Sequence, residues 1–341
     1  MSAVSFGVAG LGAALGEPVD VAAVAADYTA DTDRVRSWGF RRFHRAADGV
    51  GLTDLAAAAA GRALDAAGLV ATDVDVLVLA VADLTEYLYW DAAAALQGRL
   101  GAGTAEALLL SQACGGGVTA FDVVAGKFAT HPDHRAALVV GANRVCEPYW
   151  NRMEVNTSVF SDGAAAAVLR RDHPRLRWLA TEVATDGRYA DFMRMDDGGA
   201  ARPFGRATTG PVAVRSPSVR LDEYFGGDLR QMFAFTAAVR AGTRDVVLRA
   251  LERIGEPPAA LARLIHLHDN RPAFVELAKD LELPVERTNA ELGLDHGHLG
   301  PADQLFALEH HLAAGELAPG DLVALTSTAS GTHWMCTLLR A

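Results

Sequence analysis

The sequence predicts an α/β fold built from two similar halves, and two features of its 341 residues predict it. The first is an alternation of short apolar segments with amphipathic segments of about 10 to 15 residues, which is typical of strands layered with helices. The second is an internal similarity. A helical segment ending in glycine precedes an apolar strand at residues 62–81 and again at residues 249–268.

The two predicted halves have the same order of elements. Each half opens and closes with a strand-like segment. These segments are residues 4–8, 137–141, 176–183 and 321–325. The boundary falls within residues 170–177, so we expect one half at residues 1–172 and the other at residues 173–341.

Residues 186–235 interrupt this order in the second half. Gly-Gly and X-Pro pairs recur through the segment, which predicts irregular backbone. Its Phe, Tyr and Met side chains are too apolar for a free tail, and a long irregular segment in a compact domain is typically a functional lid. We interpret it as a cap over a pocket or over a subunit contact.

The composition indicates a folded chain that is large enough to bury a core. Charged residues make up 21% of the sequence and hydrophobic residues 50%, which is not the profile of a disordered protein. The net charge is −11 and the basic residues are scattered, which argues against nucleic acid as a partner. No apolar stretch reaches the roughly 18 residues of a membrane span, and no basic leader precedes an apolar run, so we expect a cytoplasmic protein without membrane contact.

Cys114 is the strongest candidate for a nucleophile. It follows an apolar strand-like segment and precedes residues 115–117, which are all glycine, and then apolar residues at helical spacing. A thiol at a helix N-terminus is favoured as the thiolate by the helix dipole and by free N–H groups. The glycines permit a tight turn, as in the nucleophile elbow of enzymes that transfer acyl groups through serine. A buried structural cysteine beside a flexible turn is the alternative interpretation.

The other two cysteines, Cys146 and Cys336, lie in no such context, and we interpret them as inert core thiols. Three widely spaced cysteines without a CxxC motif indicate neither a disulfide framework nor a cysteine zinc site.

Two His-x-His pairs lie in the second half. They are His266 with His268 and His296 with His298. His268 follows a predicted strand, and His298 opens a predicted helix after Gly297. A cysteine nucleophile needs such a histidine as base or hydrogen-bond donor. The pairs could also form a metal site, but no further ligand cluster accompanies them and that site would leave Cys114 unexplained, so we predict no metal. Histidines of the surface or core edge are the remaining interpretation.

Near the end of the chain, small residues follow the last predicted strand at residues 329–332. Small residues let the backbone approach a ligand and offer N–H groups to a developing oxyanion. We expect the backbone N–H groups of Cys114 and Ser330 to provide this oxyanion site.

In order and spacing, these motifs resemble the ketoacyl-acyl carrier protein synthase III group of the thiolase superfamily. The resemblance rests on the nucleophile motif 111–117, the strand 137–141, the FGDGA-like segment 160–166, His268, Gly297 and the closing segment 330–334. It implies a thiolase-like duplicated fold with five layers, α/β/α/β/α, usually assembled as a homodimer.

The sequence departs from the catalytic Cys, His and Asn of that family. Gap-free matching places the family His on His268 and the family Asn on His298, while Asp269 follows His268. A carboxylate beside an imidazole orients it and stabilises its protonated form, which suits a general base. The resemblance therefore implies acyl transfer rather than Claisen condensation, with His298 as base, Asp269 orienting it and His268 assisting. One gap within residues 270–295 would exchange the roles of the two histidines.

The coenzyme A contacts of the family are altered as well. Matching places Asp33, Ser37 and Glu154 where the family has a Trp and two Arg, although Arg36, Arg41 and Arg42 lie nearby. The resemblance thus implies an acyl carrier protein as donor, which would dock on local arginines and present the acyl group on its phosphopantetheine arm. We expect no cofactor bound by the chain itself.

Our hypothesis from the sequence is an acyltransferase of polyketide, antibiotic or other natural-product biosynthesis. It would move an acyl group through Cys114 to a small-molecule alcohol or amine or to a second carrier thiol. A decarboxylative ketosynthase of the synthase III type is the first alternative, and a catalytically silent partner subunit is the second. The acyl group and the acceptor are not specified by the sequence.

Overall fold

The computed structural model describes residues 4–82, 84–154, 157–195, 198–203 and 217–341. In chain order the strands of these residues are β1 (Phe6–Leu15), β2 (Glu17–Asp20), β3 (Arg42–Arg45), β4 (Val76–Val81), β5 (Glu106–Ser111), β6 (Ala136–Asn143), β7 (Gly163–Arg171), β8 (Arg177–Thr185), β9 (Leu261–His266), β10 (Leu322–Ala329) and β11 (His333–Arg340). The helices are α1 (Val21–Tyr28), α2 (Thr32–Trp38), α3 (Leu52–Ala67), α4 (Ala92–Leu100), α5 (Gly116–Thr130), α6 (Pro217–Phe225), α7 (Leu229–Ile254), α8 (Arg271–Asp280), α9 (Ala290–His296) and α10 (Asp303–Ala313). None of the helices in these ranges combines the length and hydrophobicity needed to cross a membrane.

One mixed sheet contains nine of these strands in the order β5-β4-β6-β7-β1-β8-β11-β10-β9, and β2 and β3 form a separate hairpin. In the first half β4 lies parallel to β5 and β6, and β7 runs antiparallel to β6 and β1. The second half repeats this arrangement, with β9 parallel to β10 and β11 antiparallel to β10 and β8. The halves meet where Gly7 pairs with Arg177. The predicted boundary at residues 172–173 lies in the turn between β7 and β8.

Helices cover both faces of the sheet. Because side chains alternate along each strand, successive residues pack against helices on opposite faces. In β4, Val76 and Val78 pack in one apolar cluster with residues of α5 and α10, whereas Leu77 and Leu79 pack in another with α3 and α4. Helix α5 contacts strands of both halves, and so does α10, while α7 packs on β8, β10 and β11. Helices α5 and α10 thus lie between the strands of the two halves, with α3 and α4 outside the first half and α7 outside the second. These layers, α/β/α/β/α, confirm the predicted thiolase-like fold class.

The centre of the molecule is packed so closely that two glycines have no room for a side chain. A Cβ atom at Gly117 of α5 would lie 2.1 Å from the carbonyl oxygen of Pro301, and one at Gly141 of β6 would lie 2.2 Å from it. Pro301 belongs to the short turn Gly300–Ala302, which directly precedes α10. This contact holds the start of α10 from the second half against the start of α5 from the first.

The segment predicted to be irregular, residues 186–235, is largely helical where the structure describes its second part. Helix α6 and the start of α7 occupy residues 217–235, so the prediction of irregular backbone is wrong there. Asp228 caps α7 by accepting hydrogen bonds from two backbone N–H groups of its first turn. Of the predicted cap, residues 196–197 and 204–216 lie outside the described residues.

Aromatic rings hold the described parts of this segment together. The ring centroid of Phe235 in α7 lies 4.8 Å from that of Tyr189 and 4.7 Å from that of Phe192. The backbone of Asp186 exchanges two hydrogen bonds with Thr332, in the turn between β10 and β11. The segment is therefore attached beside the predicted oxyanion turn, and its role as a cap stays a prediction.

Candidate active site

The nucleophile motif forms a short turn between a strand and a helix. Strand β5 ends at Ser111, Cys114 lies in a 3-10 turn, and α5 begins at Gly116. The thiol of Cys114 is partly buried, and the carbonyl of the same residue accepts a hydrogen bond of 3.1 Å from Ser327 Oγ of β10. Cys114 therefore lies where the N-terminus of a buried helix meets a strand end of the second half, as the sequence predicts for the helix start.

His298 is the direct partner of this thiol. Its Nε2 lies 3.0 Å from Cys114 Sγ, and its side chain is 1% exposed. The backbone is fixed on both sides, since His298 N–H donates to Val159 and its carbonyl accepts from Ser161. Gly297 precedes it with a φ of 69°, a conformation that favours glycine. His298 thus lies in an extended connection and does not open a helix as the sequence suggested.

Asp303, the first residue of α10, completes the arrangement and was missed by the sequence analysis. Its Oδ2 lies 2.6 Å from His298 Nδ1, and its Oδ1 accepts a 2.7 Å hydrogen bond from the Leu299 N–H. Oδ2 also accepts a 2.7 Å hydrogen bond from the His268 N–H. Because a carboxylate can only accept, Nδ1 of His298 carries its proton and Nε2 faces the thiol.

Asp269 does not have the role that the sequence analysis gave it. No hydrogen bond or ion pair joins it to His298 in the described part of the chain, and Asp303 is the residue that orients that imidazole. Its Oδ1 instead accepts from the backbone and side-chain nitrogens of Asn270, at 2.7 and 2.8 Å, and from Ser158 Oγ at 3.5 Å. The assignment of Asp269 as the orienting carboxylate is corrected to Asp303.

His268 is fully buried beside the same carboxylate. Its Nδ1 lies 2.7 Å from the Gly297 carbonyl oxygen and 3.2 Å from Asp303 Oδ1. Both neighbours accept hydrogen bonds, so Nδ1 carries the proton. Nε2 is buried and has no hydrogen-bond partner among the described residues. In the neutral ring this atom is a bare acceptor.

The charges around His298 favour its protonated, imidazolium form. Burial alone would lower the pKa of His298, but the charge of Cys114, the charge of Asp303 and hydrogen bonds to both raise it well above its usual value. Burial opposes ionisation of Asp303, yet the neighbouring His268 and His298 hold its pKa below the usual range. Burial lowers the pKa of His268, which keeps that ring neutral near pH 7.

The predicted oxyanion turn lies against the nucleophile turn. A Cβ atom placed on Gly115 would lie 3.3 Å from the side chain of Ala329, the last residue of β10. Ser330 follows in the connection to β11 and is exposed. The pairing of its N–H with that of Cys114 as an oxyanion site stays a prediction.

The remaining cysteines and histidines do not contact Cys114 in the described contacts. Cys336 is buried in the core, where burial raises its pKa, and Cys146 is partly buried. His266 Nδ1 lies 2.8 Å from Thr326 Oγ1, and His296 is paired with His44. The described ranges contain no group of three or more His, Cys, Asp or Glu side chains placed to hold a metal ion.

The side chains at the positions matched to the family's coenzyme A contacts form ion pairs or hydrogen bonds within the chain. Glu154 forms a 2.8 Å ion pair with Arg34, and Ser37 Oγ donates to the Arg34 carbonyl. Asp33 pairs with Arg36 at 2.8 Å. The nearby Arg41 and Arg42 both pair with Asp295.

Two segments of the chain match a known protein family. Residues 110–187 match the family 3-Oxoacyl-[acyl-carrier-protein (ACP)] synthase III, and residues 251–341 match the C-terminal part of that family. The beta-ketoacyl-acyl carrier protein synthase III of Rhodospirillum centenum is 31% identical over 317 residues, 92% of this chain and 91% of the relative.

Two solved structures resemble the whole chain. The 3-oxoacyl-(acyl carrier protein) synthase III FabH from Pseudomonas aeruginosa covers 98% of both chains with a TM-score of 0.79 and 27% identity. ChlB3, described as an acyltransferase, covers 98% of this chain and 97% of its own with a TM-score of 0.84 and 25% identity.

Proposed function

The chain belongs to the 3-oxoacyl-acyl carrier protein synthase III family, and on that premise we propose that it is an acyltransferase. It takes an acyl group from the thioester of an acyl carrier protein, holds it on Cys114 and passes it to an alcohol, an amine or a second carrier thiol. The contacts of Cys114, His298 and Asp303 support this proposal, because they supply a nucleophile, a proton carrier and the carboxylate that fixes the proton carrier.

In the first half reaction the Cys114 thiolate attacks the carbonyl carbon of the carrier thioester. The backbone N–H groups of Cys114 and Ser330 hold the resulting oxyanion. The bond from carbon to the pantetheine sulfur then breaks, and the leaving thiolate takes the Nε2 proton of His298. The products are the acyl-enzyme, a neutral His298 and the free thiol of the carrier.

In the second half reaction the acceptor gives its proton to Nε2 of His298 and attacks the acyl carbon. The bond from carbon to Cys114 Sγ breaks, which restores the thiolate beside a protonated His298. Asp303 stabilises this imidazolium in each cycle without being protonated itself.

One observation carries the choice of transfer over condensation. The Nδ1 atoms of both His268 and His298 face hydrogen-bond acceptors, so both rings carry their proton on Nδ1. Once the acyl-enzyme has formed, the two neutral rings present bare Nε2 atoms. Decarboxylative condensation needs donors at the oxygen where enolate charge develops, whereas transfer needs an acceptor for the proton of the incoming nucleophile.

The proposal also covers the acyl donor, the kind of biosynthetic pathway and the oligomeric state. The ion pair of Glu154 with Arg34 supports an acyl carrier protein rather than free coenzyme A, because it engages the Arg34 side chain and places a carboxylate where the family has an arginine for a phosphate. The departures from the family's catalytic residues support a role in natural-product biosynthesis. We also propose a homodimer, since the outer edge of β5 pairs with no strand of the described residues.

The test follows a labelled acyl group. The full chain is incubated with an acyl carrier protein carrying labelled acetyl or malonyl thioester and with a set of amines, alcohols and thiols. Label should reach an acceptor without release of CO₂, and the product should be lost in Cys114→Ala. The matched control Cys146→Ala removes another partly buried thiol and should retain the product.

Decarboxylative condensation is the second candidate, and the names of the relatives favour it. It predicts CO₂ from the malonyl carrier, in proportion to a product extended by two carbons. That result would replace the proposed transfer, with Cys114 still the residue that bears the acyl group.

A further inference from the structure

Asp269 is a carboxyl group that directly follows His268, and the described residues pair it with no cation. Its Oδ1 is held by Asn270 and Ser158, and no Lys, Arg or His forms an ion pair with it in the described part of the chain. The side chain is partly buried, and its carboxyl group interacts electrostatically with both His298 and Asp303. Burial raises its pKa to about 6, so the group is largely ionised at pH 7.

The residue before it presents a second unused acceptor. Nε2 of His268 is buried and has no hydrogen-bond partner in the part of the chain that the structure describes. It carries no proton in the neutral ring, because Nδ1 donates to the Gly297 carbonyl. A buried polar atom without a partner is costly unless a ligand or water meets it. A ligand that satisfied both His268 and Asp269 would have to bring several N–H or O–H donors.

The charge balance changes during the cycle. In the proposed resting state His298 is protonated beside the Asp303 carboxylate and the Cys114 sulfur. After acylation Cys114 is neutral and His298 has given up its proton. Asp303, which is buried, and Asp269, which is partly buried, then have no paired cation among the described residues, and Asp303 alone is surrounded by N–H donors on both oxygens. The acyl-enzyme is therefore the state that favours entry of a cation.

We propose that the acceptor is a primary amine, which enters as its ammonium ion and binds to the Asp269 carboxylate and Nε2 of His268. This inference rests on the proposed acyl transfer and narrows it to one class of acceptor. Asp269 is thus an acceptor-binding residue, and His268 takes the first proton.

The step balances without any further reactant. The ammonium gives one proton to Nε2 of His268, and the free amine attacks the acyl carbon on Cys114. As the C–N bond forms, a second N–H proton passes to Nε2 of His298. The C–Sγ bond then breaks, which releases an amide and restores the thiolate–imidazolium pair, and His268 returns its proton to water.

The test starts from the isolated acyl-enzyme, so the rate of loading does not enter. Cys114 is acetylated from an acetyl carrier protein, the donor is removed, and n-butylamine or n-butanol is added at equal concentration. Intact mass follows the loss of the acetyl group. Butylamine should discharge the wild-type enzyme faster than butanol, and Asp269→Asn should slow the amine reaction about 10- to 100-fold while the alcohol rate changes less than about twofold.

Two controls separate charge at this position from charge nearby. Asp269→Glu should recover part of the amine rate. Asp295→Asn removes a carboxylate that pairs with Arg41 on the surface, and it should leave both rates unchanged. In the unmodified enzyme, N,N-dimethylbutylamine should compete with butylamine, because at pH 7 it is an ammonium ion with one N–H donor and it cannot form a stable amide. Its neutral hydrocarbon analogue 2-methylhexane should not compete, a result that does not depend on how any variant folds.

The outcomes distinguish the two proposals. If Asp269→Asn slows amine and alcohol equally or changes neither, or if the tertiary ammonium ion does not compete, the amine assignment is overturned while acyl transfer stands. If the wild-type enzyme never acquires an acetyl group on Cys114, the proposed function fails and the amine assignment fails with it.

Discussion

Asp303 is the residue on which both imidazoles of the site depend. It accepts a hydrogen bond from the ring of His298 and another from the backbone of His268, and its second oxygen is held by Leu299. The carboxylate is fully buried, and the ion pairs found for it in the described residues are both with histidine. Its charge therefore sustains the imidazolium form of His298, which the resting thiolate needs.

Asp303→Asn tests this dependence. The amide keeps the shape but loses the charge, so the pKa of His298 should fall and the ring can adopt the wrong tautomer. We expect the transfer rate to drop about 100- to 10,000-fold, as for the loss of the orienting carboxylate in other triads. Alkylation of Cys114 by chloroacetamide at pH 7 should slow as well, because less thiolate is present.

The control for this substitution is Asp295→Asn, which removes the same charge from the surface near His298. It should leave both transfer and alkylation close to the wild-type rates. An Asp303→Asn enzyme with a normal alkylation rate would contradict the role given to this carboxylate.

Among single residues, the sequence analysis named Cys114 and His298, which the structure places in contact, and also His268, but it did not name Asp303. Cys114 was recognisable from its strand, glycine turn and helix, which are local features. Asp303 acts on His298 only because the Gly300–Ala302 turn folds back, and five residues of spacing on a helix would not bring them together. Asp269 was misassigned because adjacency to His268 suggested contact, whereas Asn270 binds its carboxyl group.

At the scale of elements, the starts of α5 and α10 form the junction that assembles the site. Cys114 precedes α5, Asp303 begins α10, and the carbonyl of Pro301 lies where a side chain at Gly117 would be. The separation between nucleophile and base therefore depends on a backbone contact rather than on the catalytic side chains.

Gly117→Ala should disturb this junction. Its Cβ would lie 2.1 Å from the Pro301 oxygen, which belongs to backbone and cannot swing away. We expect a loss of about 1–3 kcal/mol in the free energy of unfolding and slower transfer. Denaturant unfolding and the labelled-acyl assay measure the two effects.

Gly126→Ala is the matched control on the same helix. A Cβ there meets no atom within 4 Å, so the substitution should stabilise α5 by about 0.5–1 kcal/mol and leave transfer unchanged. Equal effects of the two substitutions would show that helix propensity, not contact with Pro301, determines the result.

Elements were predictable where their pattern was local. The predicted strand at residues 76–81 coincides with β4, because a strand buried on both faces reads as a continuous apolar run. The beginning of α7 was not recognised, since Gly226 and Gly227 suggested continued irregular chain. Asp228 followed by helix-forming residues was the available signal, because its side chain caps the helix.

For the whole molecule, the duplicated fold explains how the site is divided. The first half supplies Cys114. The second half supplies His268 from the connection after β9, His298 from the connection after α9 and Asp303 from the start of α10. The internal repeat made this architecture predictable from the sequence. The direction in which each imidazole presents its proton was not predictable, because it depends on the Gly297 carbonyl and on Asp303.

The proposed transfer requires that an acyl group resides on Cys114 between donor and acceptor. Rapid-quench intact mass of the enzyme mixed with an acyl carrier protein thioester measures this intermediate. We expect an acyl adduct on Cys114 that forms before product and decays when an acceptor is added, without release of CO₂. Product formation without any adduct on Cys114, or decay of the adduct only with release of CO₂ from a malonyl carrier, would contradict it.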